Sequence, residues 1–270
     1  MRFGVFTDAH YALGKQYGTR YCDLSVRKLE ACLDTFVKLE VSFVVNVGDI
    51  IDGTHDAKVD EANYSRILRP LERSGVPVHH VLGNHDMESL AKARVCGILG
   101  IPHARTWYSF EREGTLLVIL DANFRADGTP YDSGNYEWTD AFIPPEQLDW
   151  LSGELHRARG RRAIVFVHQN LDERLRDGEP DPHLVTNAGE VRSILERAGC
   201  EIVVFQGHYH PGLLRTSGNV SYLTIQAMCE GDSMEENAYA VVTVTDDGVR
   251  IEGFGRQESY EIAGPSGRGL

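Results

Sequence analysis

Several short apolar runs in this 270-residue chain end in side chains that can bind metal ions or carry protons. In the stretch "VVFQGHYHPG", residues 203–206 lead into Gly207 and then into His208 and His210, which are one residue apart. Other runs end in the same way, and the side chains that follow them are Asp8, His10, Asp49, Asn84, His85, Asp86 and His168. Imidazole nitrogens combined with carboxylate and amide oxygens, without thiolates, are typical ligands of divalent metals. The pattern therefore predicts a metal site.

The elements that must position these side chains alternate between strand and helix over the first two thirds of the chain. We expect strands at residues 2–7, 41–47, 76–82, 163–167 and 202–205, and a hairpin formed by 107–112 and 115–120. We expect helices at residues 23–39, with Asp23 as the cap, at 61–73, from 144 onward, and at 189–198. From residue 213 the pattern is nearly all strand. This succession predicts an α/β fold in which two packed sheets have helices outside them.

The placement of the polar residues carries more information than any one of them. Asp8 alone is typical of a turn or a helix cap, and His168 alone is typical of a core histidine. Ligands of α/β proteins, however, bind outside the carboxyl ends of the strands. Residues two apart on a strand also point the same way, which suits Asp8 with His10 and His208 with His210. We therefore expect these side chains to converge.

Composition limits the possible partners. Asp and Glu number 40 against 27 Lys and Arg, and the net charge of −13 argues against nucleic acid or an anionic membrane as the partner. The five scattered cysteines indicate reduced thiols, and no segment approaches the ~20 apolar residues of a membrane helix. We expect a soluble, cytoplasmic protein with one domain over residues 1–263 and a flexible tail at 264–270. Its oligomeric state is left open.

The series D-x-H, G-D, G-N-H-D, H and G-H-x-H, in this order over residues 8–210, resembles the calcineurin-like metallophosphoesterases. The resemblance implies a four-layer αββα sandwich of two mixed β-sheets flanked by helices. It also implies two divalent metal ions, usually Mn, Fe or Zn. By resemblance, the first ion is held by Asp8, His10, Asp49 and His210, and the second by Asp49, Asn84, His168 and His208, with Asp49 bridging.

Two metal ions suit the hydrolysis of an anionic phosphoester. Ions ~3.5–4 Å apart clamp the phosphoryl group, and a bridging hydroxide attacks the phosphorus. With two carboxylates and one hydroxide, the site keeps a charge of about +1 and attracts phosphate even in an acidic protein. His85 follows Asn84 and should point elsewhere; the family places it where it protonates the leaving oxygen. By analogy Asp86 would orient His85, and Asp52 would support the metal ligands.

A narrower resemblance links the chain to the Mn-dependent ADP-ribose/CDP-alcohol diphosphatases of this family. It rests on "RYCDLSVRKLEAC", "NVGDIIDG", "VILDANF", "GNYEW", "EQLDWL" and "LTIQAMCEG". It implies that Arg20, Tyr21, Asn135 and Glu137 lie on loops bordering the substrate, and His55 follows Asp49 closely enough to reach it. The roles of the long loops 122–143 and 171–187 are left open. The aromatic residues of the first loop either stack on a base or cover the core; they are Phe124, Tyr131, Tyr136 and Trp138.

Three functions remain open at this point. The first is hydrolysis of a nucleoside-diphosphate derivative such as ADP-ribose or a CDP-alcohol. The second is a broader phosphodiesterase or phosphomonoesterase, including activity on cyclic nucleotides, glycerophosphodiesters or phosphoproteins. The third, a metal-binding scaffold without activity, is disfavoured because every expected metal ligand and His85 are present. In the first two cases the partner is a small phosphate ester or nucleotide, or a phosphoprotein.

Overall fold

The computed structural model describes residues 1–101 and 105–264, in which two six-stranded sheets face each other. The strands are numbered in chain order. The first sheet contains, in spatial order, β14 (Tyr260–Ala263), β13 (Gly248–Gly255), β12 (Ala238–Thr245), β1 (Arg2–Phe6), β2 (Val44–Asn46) and β3 (Val78–His80). Strands β1, β2 and β3 are parallel, whereas β12, β13 and β14 pair antiparallel, so this sheet is mixed.

The second sheet is also mixed. It contains, in spatial order, β10 (Leu213–Ser217), β11 (Val220–Thr224), β9 (Glu201–Gln206), β6 (Arg162–Phe166), β5 (Thr115–Ile119) and β4 (Tyr108–Arg112). Its four central strands are parallel, and the edge strands β10 and β4 pair antiparallel. A short hairpin of β7 (Leu175–Arg176) and β8 (Glu179–Pro180) lies outside both sheets.

Helices cover the outer face of each sheet. Those packed on the first sheet are α1 (Ser25–Lys38), α2 (Ala57–Ser74) and α3 (Lys92–Leu99), and those on the second are α4 (Pro145–Arg157) and α5 (Ala188–Arg197). Helix α1 buries Leu29, Leu33 and Phe36 because they recur at helical spacing. The predicted four-layer αββα sandwich of two mixed sheets is confirmed. None of the helices in the described part of the chain combines the length and apolar character needed to cross a bilayer.

Aromatic residues fill the space between the two sheets. Phe3 of β1 stacks on Phe43 with ring centroids 5.1 Å apart. Its edge contacts Phe166 and Phe205 of the other sheet, each at 5.8 Å. All four rings are fully buried, and each removes apolar surface worth about 1.5–3 kcal/mol from water. The sheets are therefore held at fixed positions, which matters because both contribute to the site below.

Some local expectations were wrong. Helix α1 begins at Ser25, after one 3₁₀ turn at Cys22–Leu24, and Asp23 does not cap it because its Oδ1 accepts from the Gly14 N–H instead. Helix α3 and strand β14 were not predicted, since both are short and only partly buried. The expected tail at 264–270 lies outside the described residues except for Gly264, whose N–H donates to the Asp247 carbonyl.

Candidate metal centre

The loops that follow the carboxyl ends of β1, β2, β3, β6 and β9 meet between the two sheets. The site residues on these loops are Asp8 and His10 after β1, Asp49 after β2, Asn84 after β3, His168 after β6, and His208 and His210 after β9. His168 Nε2 lies 3.1 Å from Asp49 Oδ2, and His10 Nε2 lies 3.5 Å from both Asp8 Oδ1 and Asp49 Oδ2. His210 Nε2 is 3.5 Å from Asp8 Oδ1. The side chains that the sequence singled out are thus brought together.

Two groups of three among these residues have the spacing of metal ligands. Asp8, His10 and Asp49 form one group, and Asp49, His168 and His208 form the other. Within each group the potential ligand atoms lie within 4.8 Å of one another. Asp49 belongs to both groups, which suits a carboxylate shared by two ions.

Unpaired polar atoms show that these residues fit metal ions. Within the described residues, six buried side-chain atoms at this point have no hydrogen-bond partner in both distance and angle: Asp8 Oδ1, His10 Nε2, Asn84 Oδ1 and Nδ2, His168 Nε2 and His208 Nε2. A buried polar atom without a partner costs about 1–3 kcal/mol. Four of these six atoms come from residues of the two groups of three described above: one oxygen of Asp8 and the Nε2 atoms of the three histidines. Two divalent ions would satisfy the imidazole nitrogens and carboxylate oxygens together.

The backbone is strained where it carries these side chains. Asp8, His10, Asp49 and His208 have φ values of 49°, 44°, 50° and 66°. Residues with a Cβ rarely adopt this left-handed region, and each such residue costs about 1–3 kcal/mol. Such strain persists only where the surrounding structure imposes it, and it concentrates at functional sites.

Two glycines allow the loops to approach one another. A Cβ on Gly207 would lie 2.6 Å from Asp8 Oδ2, and a Cβ on Gly83 would overlap the Asp49 carboxylate. The glycines that precede His208 and Asn84 are therefore required, because no side chain would fit at either position. Without that space the Asp8 and Asp49 carboxylates could not lie where the two sheets meet.

Partners on the outer side of the site orient three imidazoles. The Nδ1 atom of His10 is 2.8 Å from Asp52 Oδ1, and that of His168 is 2.8 Å from the Val47 carbonyl oxygen. His210 Nδ1 is 2.6 Å from Glu230 Oε1. Contacts at Nδ1 leave Nε2 directed at the site and raise the basicity of the ring. Asp52 has the supporting position expected of it, whereas Glu230 was missed.

Lys28 fixes the segment that carries Glu230. Its ammonium group, fully buried in α1, donates to the carbonyl oxygens of Met228, Glu230 and Gly231 at 3.2, 2.6 and 2.9 Å. Burial lowers the pKa of Lys28. The three carbonyl contacts compensate for taking the charge out of water. The position of Glu230 is therefore set by a residue two hundred positions earlier in the chain.

The close packing of carboxylates and imidazoles changes their proton affinities. Burial opposes the charged form of His168, but the Asp49 and Asp8 carboxylates outweigh it and raise the pKa of His168 to about 9. Burial, together with the neighbouring His168, lowers the pKa of His208 well below its usual value. The imidazoles of His168, His85 and His10 outweigh burial and lower the pKa of Asp49. The carboxylates are thus kept ionised and able to bind cations.

The prediction that Asp86 orients His85 is wrong. The Asp86 carboxylate accepts hydrogen bonds from the backbone N–H groups of Asp49 and Ile50, at 3.1 and 3.0 Å, and from the Tyr64 hydroxyl at 3.2 Å. A 3₁₀ turn at His85–Met87 directs Asp86 away from the His85 ring and toward the loop after β2. Asp86 is therefore a support for the Asp49 loop.

Glu88 is the carboxylate that lies nearest to the His85 ring. Its Oε2 lies 3.4 Å from His85 Nδ1, and the same Nδ1 is 3.2 Å from the Asp52 carbonyl oxygen. The Asp52 carboxylate is 4.0 Å away and is already in contact with His10 and with Lys15. His85 is 21% exposed and lines the cavity, so its other nitrogen is available to a bound molecule.

A cavity of about 650 Å³ opens onto the cluster. Lys15 and Arg20 line one part of it, and both contact the Asp52 carboxylate, at 2.6 and 3.4 Å. Trp138 and Tyr209 line another part. Such a mixture of fixed cations and aromatic surface suits a ligand that is anionic at one point and apolar at another.

Some of the residues expected to border the substrate line the cavity, and others do not. Arg20 and His55 line the cavity, but Tyr21, Asn135 and Glu137 are not among the lining residues. Asn135 instead bonds within its own loop, to the Asp132 N–H and the Pro130 carbonyl. The Glu137 carboxylate accepts from Thr139, and the Tyr21 N–H donates to the Cys229 carbonyl.

Aromatic neighbours of those residues reach the cavity instead. Tyr136 and Trp138 line it, whereas Tyr131 is fully buried in the core. Tyr131 therefore covers the core, whereas stacking of Tyr136 or Trp138 on a base stays a prediction. Phe124 is not among the lining residues; the Lys92 ammonium group lies over its ring, 4.1 Å from the centroid.

His183 is a cavity residue that the sequence did not reveal. It comes from the 171–187 loop, and its Nδ1 is 2.6 Å from Asp181 Oδ1. Its ring lies 5.2 Å from both Trp138 and His208. The spacing Asp-x-His in residues 181–183 was the available signal, but it follows only the two-residue strand β8, which lies outside both six-stranded sheets. One function of the 171–187 loop is therefore to bring an imidazole to the cavity.

The two-sheet sandwich and the ligand cluster at its strand ends define a metal-dependent phosphoesterase. The model of the calcineurin-like phosphoesterase family matches residues 1–212, and the chain belongs to this family. The predicted family is confirmed.

Two relatives with assigned names and one solved structure are similar to this chain over most of its length. A protein of Oryza sativa named manganese-dependent ADP-ribose/CDP-alcohol diphosphatase is 26% identical, over 84% of this chain and 83% of its own length. Human serine/threonine-protein phosphatase CPPED1 is also 26% identical, over 90% of this chain and 80% of its own length. The crystal structure of a dimetal phosphatase from Danio rerio has a TM-score of 0.83 at 21% identity, and the match covers 97% of this chain and 98% of that chain.

Proposed function

We propose that this protein hydrolyses the pyrophosphate bond of a nucleoside-diphosphate derivative, such as ADP-ribose or a CDP-alcohol, to two monophosphates. The observation that carries this proposal is the cavity beside the ligand cluster. Lys15 and Arg20 offer positive charge to a second phosphate, and Trp138 with Tyr209 offers a surface to a base. The name of the Oryza sativa relative, which is 26% identical, agrees with this substrate class.

The metal ions, the carboxylate ligands and His85 would have different roles in the reaction. Two divalent ions, with manganese as the first choice, would act as Lewis acids toward the phosphoryl group and supply a nucleophile from water. Asp8 and Asp49 provide the only carboxylates of the proposed ligand set, so the site keeps positive charge for the substrate. His85, held at its Nδ1, gives a proton from its other nitrogen to the departing oxygen.

A phosphoprotein phosphatase is the second candidate, and it is favoured by the similarity to CPPED1. That activity would place a phosphorylated side chain, with no second phosphate, at the metal site. Lys15 and Arg20 would then face the peptide backbone, which carries no charge, so the two cations would contribute little to substrate binding. The nucleotide substrate uses more of the cavity, and it is therefore the first choice.

Phosphorus NMR of the manganese-loaded protein tests the proposal directly. The protein is given ADP-ribose, CDP-choline, bis(p-nitrophenyl) phosphate and a phosphoserine peptide in one mixture. Preferential conversion of the two pyrophosphates to monophosphates is the expected result. Preferential release of inorganic phosphate from the peptide would favour the second candidate, and cleavage of the simple diester alone would reject both.

A further inference from the structure

The two sides of the cavity differ in charge and in their relation to His85. One side, here called the acid side, includes His85, Glu88, His55, Lys15 and Arg20, together with Tyr136, whose hydroxyl donates to Glu88 Oε2 at 3.2 Å. Glu88 ties it together, because its carboxylate is 3.4 Å from His85 Nδ1 and 3.0 Å from His55 Nδ1. Lys15 and Arg20 join the same side through the Asp52 carboxylate.

The acid side carries the Lys and Arg side chains that line the cavity in the described part of the chain. Among the described residues that line the cavity, Lys15 and Arg20 are the Lys and Arg members, and both contact Asp52. The group that departs when a pyrophosphate is split is itself a phosphate monoester. It leaves with additional negative charge, and it must leave toward the residue that protonates it. His85 and the two cations therefore mark the exit of the departing phosphate.

A second group of lining residues, here called the aromatic side, is Trp138, His183 and Tyr209, in which the His183 ring lies beside both of the others. Trp138 is 39% exposed and its ring is 5.2 Å from His183 and 5.9 Å from His208. The buried Arg174 guanidinium lies over the Tyr209 ring at 4.1 Å and holds it from behind. These rings offer a face on which a base can stack next to the second group of proposed metal ligands.

From these two sides, and on the basis of the proposed function, we infer which phosphorus is attacked. The nucleoside lies on the aromatic side and the other phosphate on the acid side. The new bond joins the oxygen of water to the phosphorus that carries the nucleoside, and one O–H bond of that water breaks as its proton passes to the solvent. The bond from that phosphorus to the bridging oxygen breaks, its electron pair stays on the bridging oxygen, and His85 protonates that oxygen. The water oxygen therefore ends in the nucleoside monophosphate.

Isotope labelling tests this orientation. Manganese-loaded protein hydrolyses ADP-ribose in water enriched in oxygen-18, and mass spectrometry of the two products locates the label. The label is expected in AMP, with ribose 5-phosphate unlabelled. Label in ribose 5-phosphate would overturn the inference and leave the proposed function intact. Hydrolysis of bis(p-nitrophenyl) phosphate without any cleavage of ADP-ribose would overturn both.

Product binding gives a second readout that does not depend on turnover. Trp138→Ala is expected to weaken AMP binding about tenfold in calorimetry, with little effect on ribose 5-phosphate, and Trp138→Phe should restore most of the affinity. Lys15→Gln is expected to weaken ribose 5-phosphate selectively. Lys58→Gln makes the same change of charge on an exposed helical residue outside the cavity and serves as the control. The reverse pattern, with Trp138 acting on ribose 5-phosphate, would contradict the assignment.

Discussion

Glu230 offers the sharpest test of how the candidate site holds its metals. Its Oε1 is 2.6 Å from His210 Nδ1, and both side chains are largely buried, with 17% and 16% exposed. The pair lowers the pKa of Glu230 to about 2 and keeps the carboxylate ionised. Glu230→Gln removes that charge while keeping the length of the side chain, and Lys28 continues to hold the backbone. The change is therefore confined to the basicity and orientation of the His210 ring.

The expected effect follows from the position of the pair. Loss of such an outer partner typically lowers metal affinity about 10–100-fold. The effect should fall on the ion that Asp8, His10 and His210 are proposed to hold. The other ion should be unaffected, because His168 is oriented by the Val47 carbonyl and not by Glu230.

Calorimetric titration of the metal-free protein with manganese measures the two affinities separately. Glu235→Gln is the matched control, since it removes the same charge from an exposed residue of the same segment. One weakened and one unchanged affinity is the expected result for Glu230→Gln. An equal loss at both sites, or the same loss in the control, would refute the positioning role.

Three further changes probe other parts of the molecule. His85→Gln should retain both metals in elemental analysis and lower kcat about 10²–10⁴-fold, most for esters with poor leaving groups; loss of metal would contradict this role. Gly207→Ala should lower the melting temperature and the metal content, because the new Cβ meets the Asp8 carboxylate, whereas Gly153→Ala has open space and should not. Burial lowers the pKa of His80 from 6.5 to about 4. Its neutral form therefore adds stability above about pH 6.5, and about 3 kcal/mol is lost as the pH falls to about 4. Urea unfolding of metal-free protein should show a smaller loss in His80→Gln.

The site could be predicted from sequence where its residues follow strands. Asp8 with His10, and His208 with His210, stand directly after buried runs, so their convergence follows from the properties of a parallel sheet. The layer order followed from the alternation of strand and helix periodicity. These features are local in sequence, or depend on simple rules of sheet geometry.

Contacts between distant segments were missed. Glu230 is placed by Lys28, and His183 reaches the cavity from a loop with no regular pattern. The error at Asp86 has a different cause: its side chain is adjacent in sequence to His85 but is turned away by a 3₁₀ turn. Whether Asn135 or Tyr136 faces the cavity depends on the conformation of an irregular loop, which periodicity does not specify.

The origin of the proposed ligands in two different sheets has a consequence for folding. Asp8, His10, Asp49 and Asn84 follow strands of the first sheet, and His168, His208 and His210 follow strands of the second. A chain in which only one sheet has formed therefore lacks a complete site, and ions held by these ligands would bind only after the sheets have docked. Each such ion would connect the two sheets and stabilise the fold by about 2.7 kcal/mol at a hundredfold excess over its Kd. In this protein metal uptake would report the last step of folding, and chelation would loosen the contact between the sheets first.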